Sequence, residues 1–233
     1  MRRPGTIFTS VALVGLCILG GCSSDKPSGD GAGTSGEQAA PQHLVEGEAT
    51  PLTPGTYRIS VLVNDGVVAP DASIEVPDGF NDEADWYVVS HDNNEFLGLW
   101  TVGLVYDDPC RLGESRYQSP GPSVQNLADA MVNQRSTRTA PPEPVTLDAN
   151  QGLYVEIHSP TDMSTCVKSA ALWGGPGDRG IYNDGQVDRV WILNVDGQRL
   201  VVNAAYSAES TAKDINKLTA MVDSLDFVPT AAE

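Results

Sequence analysis

The chain has 233 residues, with 14 basic and 31 acidic side chains and a formal net charge of −17 at pH 7. An acidic surface repels the phosphates of nucleic acids, so this composition argues against DNA or RNA binding. The acidic residues are scattered along the chain, which is typical of a soluble extracellular surface. The alternative is a domain that attracts a cationic partner or a metal ion.

The first 21 residues have the form of a secretory signal peptide. Arg2 and Arg3 precede the apolar run IFTSVALVGLCILGG, which is too short to span a bilayer comfortably. The run ends in the letters LGGC, which resemble the lipobox of bacterial lipoproteins, where a signal peptidase cuts before a diacylated cysteine. We therefore expect the mature chain to begin at a lipidated Cys22 on the extracytoplasmic face of the cell membrane. The alternative is an ordinary signal peptide or N-terminal anchor in which Cys22 is incidental.

Composition divides the rest of the chain into a tether, one domain and a tail. Residues 22–50 follow the signal peptide and are rich in Ser, Gly, Asp, Glu, Ala and Pro, a composition that predicts a disordered tether. Residues 51–228 are enough for a single domain with its own core, and residues 229–233 form a short C-terminal tail.

Two cysteines, Cys110 and Cys166, fall within the predicted domain. In an oxidising compartment a disulfide between them is the expected state. Free thiols or a metal site are the alternative, but the chain has no C-x-x-C spacing and no nearby histidine cluster.

Hydrophobic patterns predict strands and two helices along the domain. The sequence GPSVQNLADAMVNQ predicts a helix capped by Ser123, and STAKDINKLTAMVDSLDF predicts another, capped by Thr211. Asp196-Gly197 between two β-rich runs predicts a hairpin over residues 190–206 with a type I′ turn. Further strands are predicted at residues 72–77, 85–91, 96–106 and 151–158, the third of them as one central strand. These elements predict an α+β fold with a largely antiparallel sheet of about six to seven strands and two main helices.

The order of several short motifs carries a family resemblance over residues 54–228. In chain order the motifs are PGTYR, VPDGF, WTVGLVYDDPC, GPSVQNLA, VTLDANQGLYVEI, the hairpin and a closing helix that ends in SLDF. In this order they resemble a group of uncharacterised actinobacterial lipoproteins. The element order is also similar, more weakly, to the sandwich fold of the PsbP-type extrinsic photosystem subunits. The resemblance carries no active site over to this chain and implies a non-enzymatic accessory or binding role.

The sequence lacks the common catalytic and metal-binding patterns. GESRY and GPSVQ do not match the G-x-S-x-G of a serine nucleophile, and no two histidines share a helical turn. The stretches NDGVVAPD and NDGQVD do not match a calcium loop. We therefore expect no enzymatic activity, no cofactor and no metal ion.

Four residues remain as candidates for ligand binding. Glu156 and His158 share one face of a predicted strand, where a carboxylate and an imidazole could contact one ligand, although a solvated outer face is the simpler interpretation. His91 lies in the turn HDNNEF. Trp173 lies beside the glycine-rich stretch LWGGPGDRG, predicted to be a mobile surface loop, and could line a groove or cap the core. The other domain tryptophans, Trp86, Trp100 and Trp191, are predicted to be buried.

These observations predict a lipid-anchored, non-enzymatic binding or accessory protein of the cell envelope. Its partners would be the membrane, through the lipid on Cys22, and another envelope protein or a small ligand. The main alternative is a cell-wall hydrolase or transferase of unrecognised type that uses Glu156 and His158. A structural envelope component without a discrete ligand is a further alternative.

Overall fold

The structure, a computed structural model, describes residues 41–47, 49–166 and 169–228. The predicted signal peptide, Cys22 and most of the predicted tether lie outside these residues. The fold begins before residue 51, because Gln42 and His43 pair with Tyr57 and Arg58 as parallel strand neighbours. Leu44 follows them and is buried in the core. This last part of the predicted tether is therefore part of the domain.

The described residues form seventeen strands and two α-helices. In chain order the strands are β1 (Gln42–His43), β2 (Thr50–Pro51), β3 (Gly55–Ile59), β4 (Ala72–Val76), β5 (Phe80–Ala84), β6 (Tyr87–Ser90), β7 (Glu95–Trp100), β8 (Leu104–Tyr106), β9 (Tyr117–Gln118), β10 (Arg138–Thr139), β11 (Glu143–Leu147), β12 (Asn150–His158), β13 (Ala171–Gly174), β14 (Arg179–Gly180), β15 (Val187–Val195), β16 (Gln198–Tyr206) and β17 (Asp226–Phe227). The helices are α1 (Val124–Val132) and α2 (Ala212–Asp223), and short 3₁₀ turns lie at Pro109–Arg111 and Met163–Thr165. Of the described helices, none is long and apolar enough to cross a membrane.

The strands form three sheets rather than one. The central sheet has nine strands in the order β10-β12-β15-β16-β7-β6-β5-β2, with β11 also paired to β12. The two others have four strands each, in the orders β1-β3-β4-β17 and β14-β13-β8-β9. Among the described strand pairs, β1 with β3 is parallel and the rest are antiparallel. The predicted α+β class with largely antiparallel strands and two helices is confirmed, but the single sheet of six to seven strands is wrong.

The predicted strand over residues 96–106 accounts for part of this difference. It divides into β7 of the central sheet and β8 of another sheet. Between them, the backbone N–H of Thr101 donates to the Leu62 carbonyl at 2.8 Å. Gly103 follows, and a Cβ there would lie 3.1 Å from Asn64 Oδ1. The chain therefore changes sheet at a packed corner, while its apolar pattern continues through both strands.

The hairpin of β15 and β16 forms the middle of the central sheet. Asp196 and Gly197 have φ angles of +50° and +82°, which are the two positive φ values that a type I′ turn requires. Each strand has nine residues, and β12 and β7 pair along the outer edges. The hairpin prediction is confirmed.

Both helices begin where capping residues predict them. Ser123 Oγ accepts from the backbone N–H of Asn126 at 3.0 Å, at the N-terminus of α1. Thr211 Oγ1 accepts from the backbone N–H of Asp214 at the start of α2. Such caps satisfy N–H groups that have no partner within the helix.

The central sheet separates two apolar clusters, one on each face. Side chains alternate along a strand, so Leu193 of β15 points to one cluster and Ile192 to the other. Helix α2 and the β1-β3-β4-β17 sheet cover the first face. Helix α1 and β13 cover the second. Each face of the sheet thus carries a buried apolar cluster.

The structure confirms the disulfide between Cys110 and Cys166. It joins Cys110, in the first 3₁₀ turn, to Cys166, which directly follows the second. The two cysteines are 56 residues apart in sequence. Because β12 and α1 lie between the two cysteines, the bond closes a long loop around the second cluster.

We expect the double substitution Cys110→Ser and Cys166→Ser to lower the free energy of unfolding by about 4 kcal/mol, because a long loop would no longer be closed in the unfolded chain. Urea denaturation measures the change. Wild-type protein with a reducing agent is the control and should lose the same stability. An unchanged urea midpoint in both would contradict this role of the disulfide.

Candidate functional site

A cavity of about 500 Å³ lies on the second face of the central sheet. Helix α1 packs against β12 and β15 on that face. The neighbouring strands β6, β7 and β16 instead form the floor of the cavity, through Val89, Phe96 and Ala205. Residues 177–186 bound it on the other side. Helix α1 and the cavity therefore occupy different parts of this face.

The cavity wall is aromatic. Trp86, from the turn between β5 and β6, lies with its ring centroid 4.5 Å from that of Trp100 on β7. Tyr87 stacks on Phe96 at 5.3 Å. Aromatic rings provide large apolar surfaces, and small-molecule sites are mostly lined by such side chains. Trp86 was predicted to be buried but is only partly buried. Its exposed part lines the cavity.

Two glycines let aromatic rings lie flat along the backbone. A Cβ at Gly98 would lie 2.7 Å from Cζ of Phe96, and a Cβ at Gly180 would lie 2.6 Å from Cζ of Tyr182. Real Cβ atoms essentially never show such a contact, so each ring would have to shift if its glycine carried a side chain. In both cases the ring is two residues from the glycine in sequence, a signal that sequence reasoning missed.

Two carboxylates lie among the polar lining residues. Tyr87 Oη donates to Glu83 Oε2 at 2.8 Å, and Tyr106 Oη donates to Asp178 Oδ1 at 3.1 Å. Burial, and then the hydrogen bonds to these carboxylates, raise the pKa values of Tyr87 and Tyr106. The two phenols therefore remain protonated donors at neutral pH.

A buried carboxylate holds the segment that bounds the cavity. Asp188 Oδ1 accepts from Arg179 Nε at 2.9 Å and from Asn203 Nδ2 at 3.2 Å, and Asp188 Oδ2 accepts from Gln186 Nε2 at 2.7 Å. Arg179 is 3% exposed and Asp188 is fully buried. The guanidinium carbon of Arg179 lies 4.3 Å from the centroid of the Phe96 ring. This network joins β14, β15, β16 and the cavity floor.

We expect Asp188→Asn to lower the free energy of unfolding by about 3–5 kcal/mol, because it leaves the Arg179 charge buried without a counter-charge. Replacing both residues, as Arg179→Met with Asp188→Asn, should restore part of the loss. Urea denaturation measures both. Asp223→Asn, which removes an exposed carboxylate on α2, is the control. If Asp188→Asn lowers the free energy of unfolding no more than this control does, the ion pair does not hold the segment that bounds the cavity.

Trp173 does not line the cavity. Its side chain is fully buried on β13, and its ring contacts Trp100 edge-on with centroids 6.0 Å apart. It caps the core, which was the other role that the sequence left open. The following glycines pack closely: a Cβ at Gly174 would lie 2.5 Å from Asp178 Oδ1, and one at Gly175 would lie 2.9 Å from Asn64 Oδ1.

The structure brings Glu156 and His158 together, away from the cavity. Their Oε1 and Nε2 atoms are 2.9 Å apart, and Tyr154 Oη donates to Glu156 Oε2 at 2.9 Å. Arg189 Nε lies 3.4 Å from the same Oε2. Burial raises the pKa of Glu156, but the hydrogen bonds from Tyr154 and His158 and the charges of His158 and Arg189 outweigh it, so the pKa lies below its ordinary value.

His91 is exposed in the turn between β6 and β7. Its Nε2 lies 3.2 Å from the Phe80 carbonyl oxygen. It lines a hollow of about 210 Å³ that also includes Asp92 and Lys217 and is separate from the aromatic cavity. Within the described ranges no group of three or more His, Cys, Asp or Glu side chains could hold a metal ion.

Comparison with known proteins assigns neither a family nor a function to the chain. No family model matches the chain, and no curated protein is significantly similar to it. The likeness to actinobacterial lipoproteins and to the PsbP-type fold therefore remains a prediction from the motifs.

Proposed function

We propose that this protein is a lipid-anchored, non-enzymatic binding protein of the cell envelope, and that it binds a small ligand in the aromatic cavity. The observation that carries the binding role is the cavity itself. Its volume of about 500 Å³ lies within the range of about 300–1,000 Å³ typical of small-molecule sites. It combines aromatic walls with a few polar groups, as such sites do.

The preformed floor supports the same proposal. Phe96 lies beneath the guanidinium of Arg179, and Asp188 holds Arg179, so contacts inside the protein position both lining side chains before a ligand arrives. Little conformational entropy is then lost on binding.

The signal sequence and Cys22 support the location. Two or more acyl chains attach a protein stably to a bilayer, whereas one chain does not. We propose that the domain lies on the extracytoplasmic face of the cell membrane, with the membrane as its first partner. An envelope protein that delivers or receives the ligand would be a second partner.

A cell-wall hydrolase or transferase is the competing proposal, and the contact between Glu156 and His158 is the observation in its favour. The lowered pKa of Glu156 keeps this carboxylate ionised near neutral pH. It could not then act as a general acid, which needs a proton to donate. Its contacts with Tyr154 and Arg189 also give it a structural role, joining β12 to β15.

We expect the neutral dye N-phenyl-1-naphthylamine to bind the protein with increased fluorescence, because the cavity offers it an apolar environment. Trp86→Ala should weaken this binding about ten-fold or more by removing one wall of the cavity. A fluorescence titration measures both affinities.

The matched control is Trp191→Ala, since Trp191 is also a partly buried tryptophan but packs on the opposite face. It should leave dye affinity unchanged. Absence of dye binding to the wild type, or equal losses in the two variants, would contradict the cavity as the binding site and favour a purely structural envelope component.

We expect native mass spectrometry of protein from its own envelope to show a chain that begins at an acylated Cys22. The same spectrum reports any retained ligand or protein partner. Cys22→Ser is the control and should keep its signal sequence and carry no acyl mass. An unacylated wild-type chain would contradict the lipid anchor.

A further inference from the structure

We propose that the ligand of the aromatic cavity is a small organic cation with an apolar body. This inference rests on the proposed function, because it names the chemical class that the cavity binds. It depends on the charges of the lining residues, on the exposure of the aromatic rings and on the charge of the whole chain.

The cavity is lined by two carboxylates that no positive group in the lining neutralises. The charged lining residues are Glu83, Asp178 and Arg179. Arg179 is neutralised by Asp188, with Nη2 and Oδ1 2.8 Å apart. Glu83 and Asp178 each accept a hydrogen bond from a neutral phenol. These two negative charges therefore remain for a ligand to neutralise.

Arg179 is not available to an anionic ligand. Its side chain is almost completely buried, and its Nε and Nη2 atoms both contact Asp188. Breaking this pair would leave a buried carboxylate without a counter-charge, at a large cost in free energy. Among the described lining residues Arg179 is the one cation, so an anion would meet two carboxylates and no free positive group.

Aromatic faces remain available at the opening. Arg179 lies over the ring of Phe96, which demonstrates a cation–π contact within the site. Tyr182, which lines the cavity, is 75% exposed. Trp86 and Tyr87 are partly exposed in the same wall. Aromatic faces attract organic cations, most strongly when the cation is desolvated.

The net charge of the whole chain also favours a cationic ligand. At a net charge of −17 the chain attracts cations and repels anions over about a Debye length, roughly 8 Å at physiological salt. A ligand that combines a positive group with an apolar body would use both the carboxylates and the aromatic walls.

Displacement of N-phenyl-1-naphthylamine from the full-length protein tests the inference with two probes of similar size. Benzyltrimethylammonium carries a positive charge, and phenylmethanesulfonate carries a negative one. We expect the cation to displace the dye at a concentration at least ten-fold lower than the anion. Raising the NaCl concentration should weaken displacement by the cation, because salt screens its attraction to the carboxylates.

Conservative variants identify the charges responsible. Glu83→Gln and Asp178→Asn should each weaken binding of benzyltrimethylammonium about three-fold to ten-fold, as expected for a unit charge that acts on the ligand largely through water. Each variant should lose more affinity for the cation than for the neutral dye, and its far-UV circular dichroism spectrum should match that of the wild type, which shows that it is folded. Asp223→Asn removes an exposed acidic charge on α2 and should leave both affinities unchanged.

The outcomes separate this inference from the proposed function. If the dye binds but the sulfonate displaces it as well as the cation does, or if Glu83→Gln and Asp178→Asn affect the cation no more than Asp223→Asn does, the cationic class is wrong and the binding cavity stands. If neither the dye nor either probe binds the wild-type protein, both proposals are overturned.

Discussion

Burial of apolar side chains on both faces of the central sheet organises the packing of the other elements. Its long strands place apolar side chains on each face in alternation, so each face must be covered by another element. Helix α2 and a small sheet cover one face, while α1 and β13 cover part of the other. The remaining area is filled by aromatic side chains and bounded by residues 177–186. The candidate binding cavity is therefore a consequence of how the second face is covered.

Asp188 connects this packing to the site. A buried charge is tolerated only when counter-charges and hydrogen bonds surround it, and Arg179, Gln186 and Asn203 provide them. These partners come from three segments of the chain, so one carboxylate fixes β14, the loop after it and β16 together. The same pairing neutralises Arg179. It thereby determines the sign of the charge that the cavity presents to a ligand.

Local patterns predicted the elements well where the cause of the structure is itself local. The type I′ turn at Asp196-Gly197 and the caps at Ser123 and Thr211 depend on neighbouring residues, and the structure confirms them. The candidate site residues from the sequence do not line the aromatic cavity. Trp173 is buried, and Glu156 and His158 lie apart from the cavity. The residues around a tryptophan on a strand follow the same hydrophobic pattern whether its ring packs in the core or lines a cavity.

The acidic charge, the hairpin turn, the helix starts and the pair of cysteines could be read from the sequence, because each depends on composition or on residues close together in the chain. The division of residues 96–106 between two sheets could not be read from it, nor could the cavity lined by Trp86, Phe96 and Tyr182 or the pairing of Arg179 with Asp188 inside the core. These features depend on which strands become neighbours. That choice is made by burying apolar surface across the whole domain, and short stretches of sequence carry only part of it, such as the glycines two residues from Phe96 and Tyr182.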